Sequence, residues 1–513
     1  MSKAKTLRLI LGDQLNERHS WFRENDQSVI YVLMEVLQEV RHVTPHVQKV
    51  VTFFASMRTF ADWLRSRGHQ VVYISLDDPN NQQAFDDNIA LLIDKGRFKE
   101  FQYLLPDNYR VDVLLKEMAK RLPVRTLSFD TEHFLASRNE VTTLFSGKKR
   151  YLMETFYRYM RKKFDILMVE GKPFGEKWNY DVKNRSRYDE RVSIPKPVLF
   201  NNDVADIVTM LERMKVTTFG EIIPEGLIWP ITRQQAIRVL NDFLTNGLPY
   251  FGTYQDAMTE KSWVMFHSRL SFALNTKMLH PMEVINGVIH TWENCKDTIG
   301  INQIEGYIRQ ILGWREFMRG MYWTLMPEFK TMNFFNHTHK LPHYYWDAQT
   351  RMNCMRNVLS QSLKHAYAHH IQRLMVTGNF ALLTGIHPDD VDAWYLGVYI
   401  DAIDWVETTN TRGMSQFADG GIIATKPYVS SSNYLHAMSD YCEHCYYDRT
   451  RRYGSRSCPF NSLYWDFLVR HREKLLKNHR VGIMYRPFDN MADNEKTQIL
   501  RQADFYKNTL DTL

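Results

Sequence analysis

The sequence predicts a chain in two parts: an α/β N-terminal doubly wound parallel sheet domain, then a large all-α C-terminal domain. Three observations carry this. Up to about residue 130, short apolar runs alternate with helix-like segments, the pattern of a parallel sheet covered on both faces. From Ile231 onward helical patterning dominates, punctuated by turn signals such as Asn246-Gly247, Gly385 and His387-Pro388. Four cysteines of that second half, Cys354, Cys442, Cys445 and Cys458, make a pattern with a Cys-x-x-Cys pair at its heart, where a shared inorganic centre would clamp it.

In chain order, Leu7–Leu11, Val29–Met34, Val71–Ser75, Phe101–Leu105 and Arg125–Phe129 read as buried strands. Val47–Ser66, Asn81–Lys95 and Tyr109–Arg121 read as the helices between them. Ligands of such sheets sit at the carboxyl ends of the strands. Gly12, Asp13 and Gln14 follow the first strand and Glu35 closes the second, so these four are candidate contacts. Asp13 and Glu35 read equally well as loop-capping carboxylates, and no G-x-G-x-x-G dinucleotide fingerprint is present. The sheet domain is expected over 1–130, a connector over 131–230 and the helical domain over 231–513.

The connector carries Lys148, Lys149, Arg150, Arg158, Arg161, Lys162 and Lys163 among Tyr151, Phe156, Tyr157 and Tyr159. Basic side chains with aromatics suit a phosphate-tracking surface, and equally the solvated face of an amphipathic helix. Arg449, Arg451, Arg452 and Arg456 offer the same two readings: contacts to DNA phosphates or a solvent-facing loop. The whole chain has 65 Lys and Arg against 58 Asp and Glu, a net +7, which leans toward a nucleic-acid partner without requiring one. No 18-residue apolar run and no secretory h-region is present, so no membrane span is expected, and low cysteine use points to the cytoplasm.

Cys442-x-x-Cys445, with Cys354 far upstream and Cys458-Pro459 downstream, is a ligand set for an iron–sulfur cluster or for zinc. Unligated thiols are the plain alternative. A thioredoxin-like redox pair is disfavoured, because no apolar strand flanks the motif.

In the helical half, His267-Ser-Arg-Leu-Ser271 opens a helix with hydroxyls and free amides, an arrangement suited to a pyrophosphate and also to simple capping. Arg309 to Phe317 forms an aromatic, basic and acidic helix, and Asp389 to Glu407 sets carboxylates among tryptophans. Helical spacing would put Trp394, Val398, Asp401 and Trp405 on one face.

Taken together, these segments resemble the photolyase–cryptochrome family. His267-Ser-Arg-Leu-Ser271 is similar to its flavin-phosphate loop, with His267 where the family has threonine, and Leu312-Gly-Trp-Arg-Glu-Phe317 is similar to its flavin-pocket helix. The cysteines and Leu9-Ile-Leu-Gly-Asp-Gln-Leu15 narrow the resemblance to the iron–sulfur bacterial branch, the prokaryotic (6-4) photolyases.

The resemblance implies FAD in the helical domain, with its phosphates on Ser268, Leu270 and Ser271, Tyr254 nearby, and Trp314, Arg315 and Asp401 in the pocket. Glu407 stands where the group facing flavin N5 is expected, a position ordinary photolyases fill with asparagine. It implies a 4Fe-4S cluster on Cys354, Cys442, Cys445 and Cys458, with zinc second, and a 6,7-dimethyl-8-ribityllumazine antenna held by Gly12, Asp13, Gln14 and Glu35. Trp394, Tyr395 and Trp346 would relay electrons. The implied activity is light-driven repair of pyrimidine–pyrimidone (6-4) lesions in UV-damaged DNA by a monomer, with the lesion flipped out to meet the flavin. His369 and His370 would move the proton, either protonation state being accessible near an unperturbed pKa of about 6.5, and Tyr428 would line the lesion pocket. Cyclobutane-dimer repair, a photoreceptor of the same fold and a flavin-free, metal-clamped DNA-binding module are the alternatives.

Overall fold

The computed structural model describes residues 6–148 and 150–513. Five parallel strands, β1 (Thr6–Leu9), β2 (Val29–Met34), β3 (Gln70–Ile74), β4 (Glu100–Leu104) and β5 (Arg125–Phe129), form one sheet in the order β3-β2-β1-β4-β5. Side chains alternate between two cores, as the period of two requires. On β2, Val29, Tyr31 and Leu33 face the large core shared with the helical half, while Val32 and Met34 face a smaller one with Leu7 and Leu9. The helix Val47–Ser66 covers the first face; Phe85–Gly96 and Tyr109–Arg121 cover the second. The chain crosses from β3 to β4 over β1, so the strand order reverses beside β1 and leaves a crevice at the carboxyl ends of the strands.

Two predicted boundaries move, each for a local reason. β1 stops at Leu9 because the Leu11 amide donates to the Gln14 side chain, 3.0 Å away, rather than to a ladder carbonyl. The second helix starts at Phe85 rather than Asn81, because the Asn81 amide donates to the carbonyls of Glu35 and Ser75 and holds its segment as a loop.

Residues 131–230 pack against both halves. In the helix Met153–Phe164, Phe156, Tyr157 and Met160 are fully buried against the segment Arg309–Arg315. Arg161, also buried, donates to the carbonyls of Ile166, Leu167 and Trp178. These side chains hold the fold, which corrects their reading as part of a phosphate-tracking surface. Lys148, Arg150, Arg158, Lys162 and Lys163 remain on the outside, and Lys149 lies outside the described residues. Among the described residues no helix is long and apolar enough to cross a membrane.

The helical half contains four wide, π-type turns set inside longer helices: Phe243–Gly247, Arg309–Arg315, Arg373–Gly378 and Thr409–Ser415. The helix Pro388–Val398 ends at Tyr399 in extended geometry (φ −90°, ψ 134°), and the Ile400 amide turns away to the Ala366 carbonyl. A new helix begins at Asp404. Trp394 and Asp401 therefore do not share a helical face, contrary to the spacing argument; tertiary hydrogen bonding breaks the helix between them.

Candidate active site

A cavity of about 290 Å³ lies inside the helical half. Three of the four π-type turns contribute to its wall: Gln310, Ile311, Trp314 and Arg315 from Arg309–Arg315, Arg373 and Leu374 from Arg373–Gly378, Thr411 and Ser415 from Thr409–Ser415. A π turn widens the helix by one residue and re-aims side chains, a device common at functional sites. Of the predicted cofactor contacts, Ser268, Leu270, Ser271, Trp314, Arg315, Asp401 and Glu407 line this cavity, together with His369, His370 and Tyr395. Tyr254 and Tyr428 are not in its wall. Tyr254 stacks on Phe266 with ring centroids 5.3 Å apart and meets Tyr188 edge-on, so its ring is committed to a small satellite core. Tyr428 is half-buried beside Lys426, with Arg480 and Arg185 near its hydroxyl.

The charges converge on Arg373, which sequence reasoning missed because nothing local marks it. Its guanidinium holds Asp401 at 2.9 and 3.1 Å and approaches Glu407 at 3.4 Å, and it stacks 3.7 Å from the Tyr399 ring centroid. Ser271 donates to Asp401 as well. Burial pushes the Glu407 carboxyl up to about 7 despite Arg373, so it holds a proton much of the time at neutral pH.

Around the wall, several polar atoms are buried without a partner: Nε2 of His267, Nδ1 of His369, Nε of Arg315 and Nε1 of Trp405. Orphaned polar atoms are costly in a folded interior and call for a polar occupant. His267 and His369 stack face to face, 4.3 Å apart and 12° from parallel. Burial and the neighbouring His267, His370 and Arg373 hold His369 well below the ordinary imidazole range. His370 opens to solvent at the rim. The protein packed around it, then Arg373, pushes it toward about 4, a push that solvent at the rim moderates. Both imidazoles are thus held toward the neutral form, His369 the more firmly.

From Tyr395 in the cavity wall an aromatic file leads outward. Tyr395 meets the fully buried Trp394 at 5.3 Å, and Trp394 meets Trp346 at 6.5 Å, where 41% of Trp346 is exposed. Trp394 also touches Tyr345 and Tyr399, and its Nε1 donates to the Tyr345 carbonyl.

A second cavity, of about 230 Å³, occupies the crevice at the strand ends. Gly12 and Asp13 line it, whereas Gln14 and Glu35 do not. The Gln14 amide is spent on Leu11 and on the carbonyls of Leu104 and Leu105, tying β1 to β4. Glu35 is fully buried and taken up by Arg58 at 2.8 Å, the Tyr73 hydroxyl and the Leu76 amide. Both are structural, which corrects their reading as ligand contacts. Glu39, His42, Lys49, Asn108 and Arg110 supply the polar wall instead, and Phe53, Phe54 and Phe85 the flat apolar one.

The cysteines come from three places: Cys354 in the helix Asn353–His365, Cys442 and Cys445 in a turn, and Cys458 at the start of the helix Pro459–Arg470. Burial, then each of the other three thiols, raises Cys354 well above the ordinary thiol range. The other three thiols therefore lie within electrostatic reach of Cys354. Among the described residues, however, no three His, Cys, Asp or Glu side chains stand close enough to hold a single metal ion. Of the nearby arginines, Arg452 pairs with Glu495, Arg451 with Asp448, and Arg456 donates to the Tyr446 carbonyl.

A covered parallel sheet with a crevice at its switch point, joined to a helical domain whose cavity is wired to the surface by aromatic rings, is the architecture of photolyases and cryptochromes. A bacterial class III photolyase from Agrobacterium tumefaciens superposes with a TM-score of 0.56 at 15% identity, covering 85% of this chain and 87% of that one. A Synechocystis cryptochrome superposes with a TM-score of 0.54 at 13% identity, covering 96% and 93%. These likenesses concern the fold. In sequence, residues 8–226 match the model of the deoxyribodipyrimidine photo-lyase-related protein family. A (6-4) photolyase from Agrobacterium fabrum is 40% identical over 506 residues, 98% of this chain and 99% of its own. The chain belongs to the photolyase family.

Proposed function

We propose that this protein is a (6-4) photolyase that repairs pyrimidine–pyrimidone lesions in DNA under blue light, with FAD in the helical cavity. The observation that carries this reading is that cavity: four buried polar atoms without partners around a wall of hydroxyls, three guanidiniums and two carboxyls. Near-full-length relation to a (6-4) photolyase supports the substrate. Ser268 and Ser271, with the free amides at the start of the helix Ser271–Asn275, suit the diphosphate. Trp314, Arg315, Asp401 and Glu407 fit the rest of the flavin. When bound and reduced, FAD supplies the electron that light sends to the lesion.

The chain's own side chains do the remaining work. His370, at the rim, is the imidazole a flipped lesion meets first. It is neutral in the free protein, and a phosphate brought in by DNA would raise its proton affinity, so that it can lend a proton to the departing hydroxyl and take it back. His369 and His267, stacked behind it, fix the floor beneath. Trp346, Trp394 and Tyr395 form the path by which an external donor restores the reduced state.

In the sheet crevice, a polar rim of Asp13, Glu39, Asn108 and Arg110 over three phenylalanines fits 6,7-dimethyl-8-ribityllumazine, a flat ring system with a hydroxylated tail. Cys354, Cys442, Cys445 and Cys458 would hold a 4Fe-4S cluster, with zinc second, and the bound group would tie the turn to two helices.

The deciding experiment incubates the reduced protein with duplexes carrying either a (6-4) photoproduct or a cyclobutane dimer, in blue light and in darkness. Light-dependent loss of the (6-4) lesion alone is expected. Loss of the dimer alone overturns the substrate, and loss of neither, with flavin bound, overturns repair.

A further inference from the structure

Bordering both cavities lies a third space, a cleft of about 290 Å³ whose wall carries the charged side chains of Lys330, Asp389, Asp392, Asp404, Glu407 and Arg412. Glu407 is the residue it shares with the helical cavity. From these juxtapositions we propose that Asp392 and Glu407 are the inner stations of a proton route leading from solvent, through this cleft, to the wall of the flavin site.

Asp392 is buried, and its Oδ1 has no hydrogen-bond partner; Oδ2 accepts from Arg412. Asp392 thus keeps one carboxyl oxygen uncommitted beyond its pairing with Arg412. The cleft is many times larger than one water needs, and its charged side chains supply hydrogen-bond partners within a wall that is otherwise largely apolar. At the outer end Asp389, 62% exposed, accepts from the same Arg412. Asp404 is taken by Lys330 at 2.7 Å and by the Tyr322 hydroxyl, so it shapes the wall without being free to carry a proton.

The charges around each station fit the task. Glu407 is faced by Arg373, Asp401, Lys49 and Asp392, and Asp392 by Arg412, Lys330 and Asp404. Burial outweighs the cations in both, raising Asp392 to about 6 and Glu407 to about 7, so each gives up and regains a proton near neutral pH. Glu407 releases its proton to an acceptor in the cavity, regains one from Asp392 through water, and Asp392 regains one from solvent. One proton moves inward and no electron travels with it. The route rests on the flavin reading above, since flavin reduction raises the proton affinity of the group in the cavity.

The test follows proton uptake with a pH-indicator dye, and carboxyl bands by infrared difference spectroscopy, during photoreduction of the holoprotein. Asp392→Asn should slow uptake about a hundredfold, remove one carboxyl band, and leave oxidation of the tryptophan relay on time. Asp392→Glu should restore uptake. Uptake at the unsubstituted rate in Asp392→Asn overturns the route. If that variant misfolds, Asp389→Asn at the mouth serves instead; an unchanged rate and pH profile there overturn it equally. A protein that binds no flavin shows no uptake at all and defeats the functional reading first. One that photoreduces with Asp392-dependent uptake but repairs nothing keeps the route and loses the repair.

Discussion

At the scale of single residues, the two adjacent histidines are unequal. His369 is sealed, stacked on His267, and receives a backbone tie from its own amide to Gln372 at 3.0 Å. His370 is open at the rim. Only the second can meet substrate directly, so His370→Ala should lower the repair rate about a hundredfold while flavin absorbance stays normal; the assay is single-turnover lesion loss in light. The relay divides in the same way between surface and interior. Trp394 is the sole described ring joining Trp346 to Tyr395 at these distances. Trp394→Phe should abolish photoreduction by external donors, and repair by chemically reduced protein should persist. An unchanged photoreduction rate would send the electrons along another path.

At the scale of elements, legibility follows from where the stabilising contacts lie. The strands read directly from the sequence because each is a short, continuous apolar run covered on both faces, and the helices Val47–Ser66 and Tyr109–Arg121 begin and end where periodicity places them. The serines at 268 and 271 and the Trp314-Arg315 pair read from local motifs. Arg373 does not, since its role depends on a π turn and on two carboxylates 28 and 34 positions away. Glu35 and Gln14 mislead for the converse reason: a polar residue at a strand end serves a ligand or the fold, and only the partner side chains decide between them. The turns themselves have a sequence handle in Gly378. A Cβ there would stand 2.7 Å from the Arg373 carbonyl and press on the Ser415 hydroxyl, so the π turns at 373–378 and 409–415 pack through that glycine. Gly378→Ala should cost about 1–3 kcal/mol in denaturant unfolding and weaken flavin retention, because both turns line the cavity. With a cluster bound, the cysteines would make a comparable clamp between a helix start, a turn and a helix far upstream. Cys442→Ser should give poorly folded protein, judged by soluble yield and protease resistance, since one lost ligand frees the turn that the other three would hold.

At the scale of the whole molecule, the sheet domain and the helical half are joined through the first turn of the helix Val47–Ser66. His46 accepts from the Gln48 amide through Nδ1 and donates from Nε2 to the Leu363 carbonyl at 2.7 Å. The Gln48 side chain reaches the carbonyls of Glu221 and Lys364, and Lys49 those of Leu396 and Ala402. His46 is fully buried and both its ring nitrogens are used, one as acceptor and one as donor, so the ring must stay neutral. Burial drives its pKa down from 6.5 to about 4. Between those two values the unfolded chain binds a proton that the folded protein refuses, and stability therefore rises with pH across that window and is lost as pH falls through it. A displacement of that size corresponds to roughly 3 kcal/mol at this one residue. The thermal midpoint should drop as pH is lowered from 6.5 toward 4, and the drop should be shallower in His46→Gln, which has no proton to take up. Equal slopes in the two proteins would mean that the junction between the halves is not where acid acts. A steeper slope in the unsubstituted protein, with loss of contacts between the halves seen first by hydrogen exchange at Leu363 and Leu396, would locate the weakest joint of the molecule between its two cavities.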